Sequence, residues 1–443
     1  MNKRPIYVSR APGRLDLIGG NGDYVGGLVF ESTIREATWA AVRLREDKRI
    51  VFHNPQMLEK GWDGLVEFHL NELTSEEAVR KLVNRDPKVR WTAYVLGIFY
   101  LLQQRHPARV ECGADVFIRS EVPLNKGVSS SAALEVAVMK AAASAYGVPM
   151  QGVDLAESCQ WVENVIAESA CGIMDQMTSV LGDESCVLPL LCQPCTPLPL
   201  VKLPETLQCW AIDSGVSHQV TGIEYEAARA AAFMGYKMFC DWEGLAVRRD
   251  DSGQIPRFID DRWNGYLANL TPSLFRSRYE ARLPEAMTGA EFLVNGQIHA
   301  DPYTQVRGEV IYRVRACTRY SVEENERVRT FAELARGGTG FEAMGELLYQ
   351  AHWAYTECGL GAAETDRIVD LVREEGPSNG LFGAKITGGG AGGTVAVFGL
   401  KSARPAFDRV VSRYAQLRGG EMPYVFEGSS MGADRFGVQV VES

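Results

Sequence analysis

No stretch of this sequence approaches the roughly 20 consecutive apolar residues that a helix needs to cross a bilayer. No run of lysines and arginines marks a nucleic-acid face either. The balance is acidic, with 56 Asp and Glu against 46 Lys and Arg and a formal charge of -10 over 443 residues. Behind the basic start "MNKRPIYVSR" there is no apolar signal core, so the chain reads as starting in its mature, cytoplasmic form. The expected partners are therefore small molecules, with no nucleic acid and no membrane, and the expected state is a monomer or else a dimer. Second cysteine pairs are missing as well: Cys192 and Cys195 form C-x-x-C, but nothing at zinc-site spacing accompanies them, and Pro194 and Pro197 mark a loop. The ten cysteines, most of them beside aliphatic residues, are expected to be reduced and partly buried. No unit of roughly 20 to 50 residues recurs, which excludes solenoids and propellers.

What is present is a globular composition, 46% hydrophobic and 23% charged, in a chain long enough for two domains. Strand-like runs ("IYVSRA", "WAAVRLRE", "RIVFHN") open the chain. Helices follow in "WTAYVLGIFYLLQQ" and "SAALEVAVMKAAASAYG", the latter alanine-rich and stopped by Gly147. Asp154, with Glu157 three residues on, predicts an N-cap and capping box for a helix whose buried stripe is Leu155, Cys159, Val162 and Ile166. The proline-rich stretch "LCQPCTPLPLVKLPETLQ" is read as a boundary, giving domains 1–204 and 205–443. Beyond it "CWAIDSG" predicts a strand, while "EYEAARAAAFMGYKMF" and "TDRIVDLVREEG" predict helices. Residues 241–325 carry no interpretable motif and read as an elaboration of the second domain.

Three segments carry chemistry. "RAPGRLDLIGGNGDYVGG" places Arg14, two aspartates and six glycines near the start. "VPLNKGVSSSAALE", from Val122 to Glu135, sets a tight turn and three serines before a helix, which gathers unpaired N–H groups and the positive helix end. Such a point binds an anion such as phosphate, although serines also simply cap helices. It is not a Walker A loop, because the G-x-x-x-x-G-K-[ST] order is absent. "AKITGGGAGGTVAVFG" satisfies G-x-G-x-x-G at Gly388, Gly390 and Gly393 with Asp408 beyond, yet a strand-like run follows the glycines where a dinucleotide fold needs a helix. A glycine turn between two strands is expected instead. Between these segments lie Glu163 and Asp175, separated by a turn at Gly172, with Asp175 in the first turn of a helix that favours its ionised form. Two carboxylates, a phosphate cradle and an arginine are the components of phosphoryl transfer.

"APGRLDLIGGNGDYVGG", "PLNKGVSSSAALEVA", "ENVIAESACGIMDQM" and "KITGGGAGGT" together resemble, in order, the signature segments of the GHMP small-molecule kinases, in the sugar-kinase branch of galactokinases and L-arabinokinases. "RWTAYVLG", "AIDSGVSHQVTGIEYEAAR" and "YTECGLGAAETDRIVDLV" extend the resemblance over most of the chain. It implies an α+β protein of two domains, ribosomal-protein-S5-like at the N-terminus and ferredoxin-like at the C-terminus. It implies ATP held by Asn125, Lys126, Gly127, Ser129, Ser130, Ser131 and Ala132 with Trp91 near the nucleotide, and Mg2+ held by Ser131 and Glu163. Asp175 and Arg14 become the catalytic pair, and Gly20, Asn21, Asp23, Gly172, Asp175, Tyr225 and Gly389 the sugar contacts.

One departure bears on the substrate. Where galactokinases usually read "GEHTDY", this chain reads Gly19-Gly20-Asn21-Gly22-Asp23-Tyr24. The glutamate and histidine that contact the 6-hydroxyl of galactose in that family are replaced by Gly20 and Asn21, while Asp23 remains. A site without those partners has little with which to recognise a CH2OH arm, and a sugar lacking the arm leaves no buried polar group unpaired. The resemblance thus implies an ATP-dependent sugar 1-kinase acting on L-arabinose, with D-galactose, D-glucuronate or a non-catalytic sugar sensor as alternatives.

Overall fold

The computed structural model describes residues 4–217, 223–253, 255–294 and 297–442. Part of the "AIDSGVSHQVTGIEYEAAR" segment, residues 218–222, therefore lies outside the described residues. Two sheets organise the molecule. The first is built on two long antiparallel strands, Ile6–Ile18 and Leu28–Leu44. Ala114–Ser120 pairs antiparallel with the second of these, Arg49–His53 joins it in parallel, and Leu65–His69 forms the edge. Cys186–Leu191 pairs with the start of Leu28–Leu44. The strand Gln439–Val441, from the far end of the chain, closes the opposite edge against Ile6–Val8.

Helix Ser130–Ala145 packs on the two long strands, Ala93–Arg105 packs beside it with Phe99 against Phe52 of Arg49–His53, and Gly152–Trp161 packs on Ser130–Ala145 and on helix Met174–Leu181. Their apolar residues reach 0% exposure along whole turns, as at Val136 to Met139, which is why the sequence there is alanine and valine with little charge. The predicted stripe Leu155, Cys159, Val162 and Ile166 is fully buried. Its helix, however, begins at Gly152, so Asp154 stands in the first turn and Gln151 is the N-cap, without a side-chain cap. The carboxylate of Asp434 accepts the Gly152 N–H at 2.6 Å and supplies the negative charge that a local cap would have given. That partner is remote in sequence, so the local pattern pointed to the wrong aspartate.

The second sheet is antiparallel and runs Leu381–Ile386, Thr394–Leu400, Leu207–Asp213, Val425–Glu427. In chain order these strands lie second, third, first, fourth, with helices between the first and second and between the third and fourth, a ferredoxin-like arrangement. The long helices Val314–Gly337 and Phe341–Cys358 link the two sheets, and Phe331 meets Phe30 of the first sheet and Phe398 of the second. Residues between 241 and 325 form their own aromatic core on helix Ile223–Trp242, where Phe239 stacks on Tyr279 with centroids 4.7 Å apart. Among the described residues no helix is long and apolar enough to cross a membrane.

Candidate active site

The first strand delivers Arg14. Its pairing with Leu28–Leu44 shifts register between Pro12 and Arg14 and again between Asp16 and Ile18, and such bulges re-aim a side chain. Arg14 is 3% exposed and gives both Nε (2.8 Å) and Nη2 (2.6 Å) to Asp175 Oδ1. Its Nη1 donates to the Gly127 carbonyl at 2.7 Å, while its backbone N–H donates to Val128 O at 3.1 Å. One arginine thereby fixes the Asp175 carboxylate against the glycine and serine loop. Burial acts against its charge, but Asp175, Glu31 and Asp16 outweigh burial and raise its pKa. Glu31 itself is fully buried, and burial together with Asp16 pushes it well above the carboxylate range. Arg14 thus makes its short contacts to Asp175, with Glu31 Oε2 farther off at 3.5 Å from Nε.

Asn125, Gly127 and Ser129 all have positive φ, at 59°, 69° and 61°. Alternation of left-handed with ordinary residues turns successive N–H groups to one side, the concavity that holds anions. Two of the three are not glycine, and each such residue costs on the order of 1 kcal/mol or more, a strain characteristic of functional loops. Ser129 does not cap the following helix, and its hydroxyl is buried without a partner. A pure capping role for this serine is thus not what the loop displays. Thr394 Oγ1 donates to Lys126 O at 2.8 Å and Lys126 Nζ pairs with Asp213 at 2.8 Å, so the loop is also tied to the second sheet.

Glu163 sits where helix Gly152–Trp161 widens into a π-turn, Val162–Ile166, with Ala167 N–H reaching back to Val162 O. Gln176 Nε2 donates to Glu163 Oε2 at 2.7 Å and to Glu135 Oε2 at 3.3 Å. Burial first, then the charge of Asp175, raise Glu163 to about 7, partly offset by Ser131. Burial and Glu163 push Glu135 well above its ordinary value. Asp23 is held by the Tyr24 N–H at 2.6 Å. Burial, then Asp175, raise it to about 7 against the pull of Arg229. Opposite lies Gly172, where a Cβ would meet Asp23 Oδ2 at 1.7 Å, so only glycine lets the two segments approach.

These residues surround one cavity of ≈ 340 Å³. It is lined by Arg14, Asn21, Asp23, Asn125, Gly127, Ser129, Ser130, Ser131, Glu163, Gly172, Asp175, Tyr225 and Gly389, all named from the sequence, and by Tyr94, Cys171 and Met174, which were not. Trp91 lines an adjoining cavity of ≈ 620 Å³ that shares Tyr94, Asn125, Ser130 and Ser131. Ala132 is buried in the first turn of the helix, Lys126 turns to Asp213, and Gly20 faces Tyr355, so these three are not cavity-lining. Asn21 is 1% exposed and its Nδ2 is unpartnered. Residues 241–325 approach the site through a neighbouring cavity that Asp301 lines with Asp23 and Gly172; there Asp301 grips Arg229 at 2.8 and 3.0 Å beneath the ring of Tyr24. Glu135 had a readable signal, since it stands four residues after Ser131 on one helix face; Asp301 had none.

The chain's relatives fit this geometry. Residues 93–183 match the family described as GHMP kinases N terminal domain, and residues 1–44 match the galactokinase galactose-binding signature. The galactokinase of Chloroflexus aurantiacus is 30% identical over 88% of this chain and 83% of its own length. The chain belongs to the GHMP kinase family. Within that family, the L-arabinokinase of Arabidopsis thaliana is 38% identical over 98% of this chain, which spans 46% of the length of that relative. Among GHMP kinase structures, Lactococcus lactis galactokinase complexed with galactose superposes with a TM-score of 0.75, covering 99% of this chain and 95% of that one at 20% identity. Methanococcus jannaschii mevalonate kinase superposes with a TM-score of 0.57 at 14% identity, over 96% of this chain and 98% of that one. These two show the fold.

Proposed function

We propose that this GHMP kinase is an ATP-dependent sugar 1-kinase that converts L-arabinose to L-arabinose 1-phosphate. The observation that carries the transfer chemistry is the pairing of both Arg14 donors with one oxygen of Asp175, beside a left-handed N–H cradle. Asp175 Oδ2 keeps its lone pairs for the anomeric hydroxyl, which is more acidic than an ordinary alcohol. Asp175 orients that hydroxyl and accepts its proton as the O–P bond forms. Arg14 and the loop N–H groups offset charge on the transferring phosphoryl group. The unpartnered Ser129 hydroxyl fits a phosphate oxygen. Hard oxygen donors from Ser131 and Glu163 fit Mg2+, which when bound with nucleotide neutralises phosphate charge. The cavity around Trp91, apolar at Met57, Trp62 and Leu134, suits a purine base.

For the sugar, Asp23 and the Tyr225 ring line the cavity, while Gly20, beside the cavity and directed at Tyr355, offers no side-chain partner. A pyranose without a hydroxymethyl arm fits that end. The unpartnered Asn21 Nδ2 favours D-galactose as the second reading, because this N–H suits the oxygen of such an arm. Steady-state kinetics with L-arabinose, D-galactose and D-glucuronate separate the two; a clear preference for galactose overturns the first. Sugar-dependent ATP consumption in the same assay would exclude a sensor without catalysis.

A further inference from the structure

Gly20 has φ +41°, and a Cβ there would lie 2.1 Å from the Tyr355 hydroxyl, 3.0 Å from Tyr355 Cζ and 2.9 Å from Asp16 Oδ2. Neither neighbour is free to swing away. Tyr355 is fully buried, stacked on Tyr320 with ring centroids 5.1 Å apart, and Lys385 Nζ lies 5.5 Å from its ring centroid. The Tyr355 hydroxyl accepts the Asn21 N–H at 2.9 Å and donates to Gly388 O at 2.7 Å. Asp16 is held by the Lys385 ammonium and accepts the Gly20 N–H at 3.1 Å. A close-packed, doubly hydrogen-bonded phenol resists displacement where a surface side chain would yield.

We propose that Tyr355 is a specificity-determining positioning residue. It keeps position 20 free of any side chain, and its hydroxyl sets the distance between the turn bearing Asn21 and the glycine loop bearing Gly389. It does not line the cavity, so it acts on the sugar through those two neighbours. Gly20 and Tyr355 are accordingly a coupled pair: the hydroxyl of the second is the nearest of the atoms that, with Asp16 Oδ2 and the positive φ, bar a side chain at the first. The consequence is selectivity for a pyranose that asks for no side-chain partner at position 20. This assignment of selectivity rests on the sugar-kinase reading above.

The test is a double-mutant cycle of Gly20→Ala and Tyr355→Phe, read in sugar KM, kcat, ATP KM and melting temperature. Gly20→Ala should raise sugar KM by at least about tenfold while ATP KM stays within about twofold, and Tyr355→Phe should reduce that penalty by at least about threefold, a coupling of the size expected for contacting residues, the contact to Asp16 and the positive φ accounting for what remains. Additive effects, or a tolerated Gly20→Ala, overturn the proposal. If Gly20→Ala does not fold, Tyr355→Phe alone decides: it should shift the ratio of kcat/KM for L-arabinose over D-galactose by at least about threefold, and an unchanged ratio overturns the proposal. Should the wild-type chain prefer another sugar, the functional reading fails, while the coupling is still read in melting temperature and with the sugar that turns over.

Discussion

Gly172→Ala places one methyl group against Asp23. The Cβ would lie 1.7 Å from Oδ2 and 2.1 Å from Cγ, whereas unstrained contact needs roughly 3.5 Å. The backbone at Gly172 is not left-handed, so the cost is one of space. Asp23 is 6% exposed and anchored by the Tyr24 N–H. It cannot rotate away without giving up that bond, so either carboxylate or glycine segment moves by roughly 1.5 to 2 Å, the gap between those distances. Misplacement of about 1 Å at a reacting centre costs about 100-fold, and loss of a hydrogen bond to a charged group costs about 1.5–3 kcal/mol. The two estimates agree on a fall in sugar kcat/KM of about 10- to 100-fold. ATP KM should change by less than about twofold, because the nucleotide cavity shares neither residue. Steady-state kinetics with each substrate varied in turn, plus nucleotide binding by calorimetry, provide the readout. A normal sugar KM in Gly172→Ala would refute the placement of Asp23 at the sugar.

Asp175→Asn retains the shape of the Arg14 contact and removes the proton acceptor; kcat should fall at least about 100-fold with nucleotide affinity nearly intact, and near-normal turnover removes Asp175 from the mechanism. Glu163→Gln should raise the Mg2+ concentration for half-maximal rate by at least about tenfold, a change typical of altered metal environments; an unchanged Mg2+ titration contradicts its assignment. Asp23 is raised from 3.8 to about 7 by burial and by Asp175. Only its ionised form accepts two sugar hydroxyls, so sugar KM should fall as pH rises through about 7, and Asp23→Asn should flatten that profile. The folded chain keeps this proton after the unfolded chain has lost it. Asp23 therefore adds stability below about pH 4 that is lost as pH rises toward 7, and the ligand-free melting temperature should fall over that interval less steeply in Asp23→Asn.

On the cavity wall, Arg14, the loop serines, Glu163 and Asp175 were legible from local chemistry, whereas Asn21, Asp23, Tyr225 and Gly389 were assigned to the sugar only through the family resemblance and Tyr94, Cys171 and Met174 were not read at all. The N–H cradle follows from a short glycine and serine turn before a helix, and the Asp175 position follows from a turn and a helix start four residues long in sequence. The fold class came through the same segments. What stayed hidden depends on distant partners. The helix at Gly152 takes its cap from Asp434, the first sheet takes its outer strand from Gln439–Val441, and Arg229 is fixed by Asp301. Gly20 was read as the place of a lost sugar contact, but its geometry depends on Tyr355, which opens the segment "YTECGLGAAETDRIVDLV" with no local signal of that packing role. Long-range packing of this kind leaves no periodic or capping signal along the chain.

The most direct test of the account is a kinase assay over monosaccharides with product identification by NMR. The account predicts that L-arabinose gives the highest kcat/KM and that the phosphate is on the anomeric carbon. Phosphorylation at another carbon, or a clear preference for D-galactose, would contradict it.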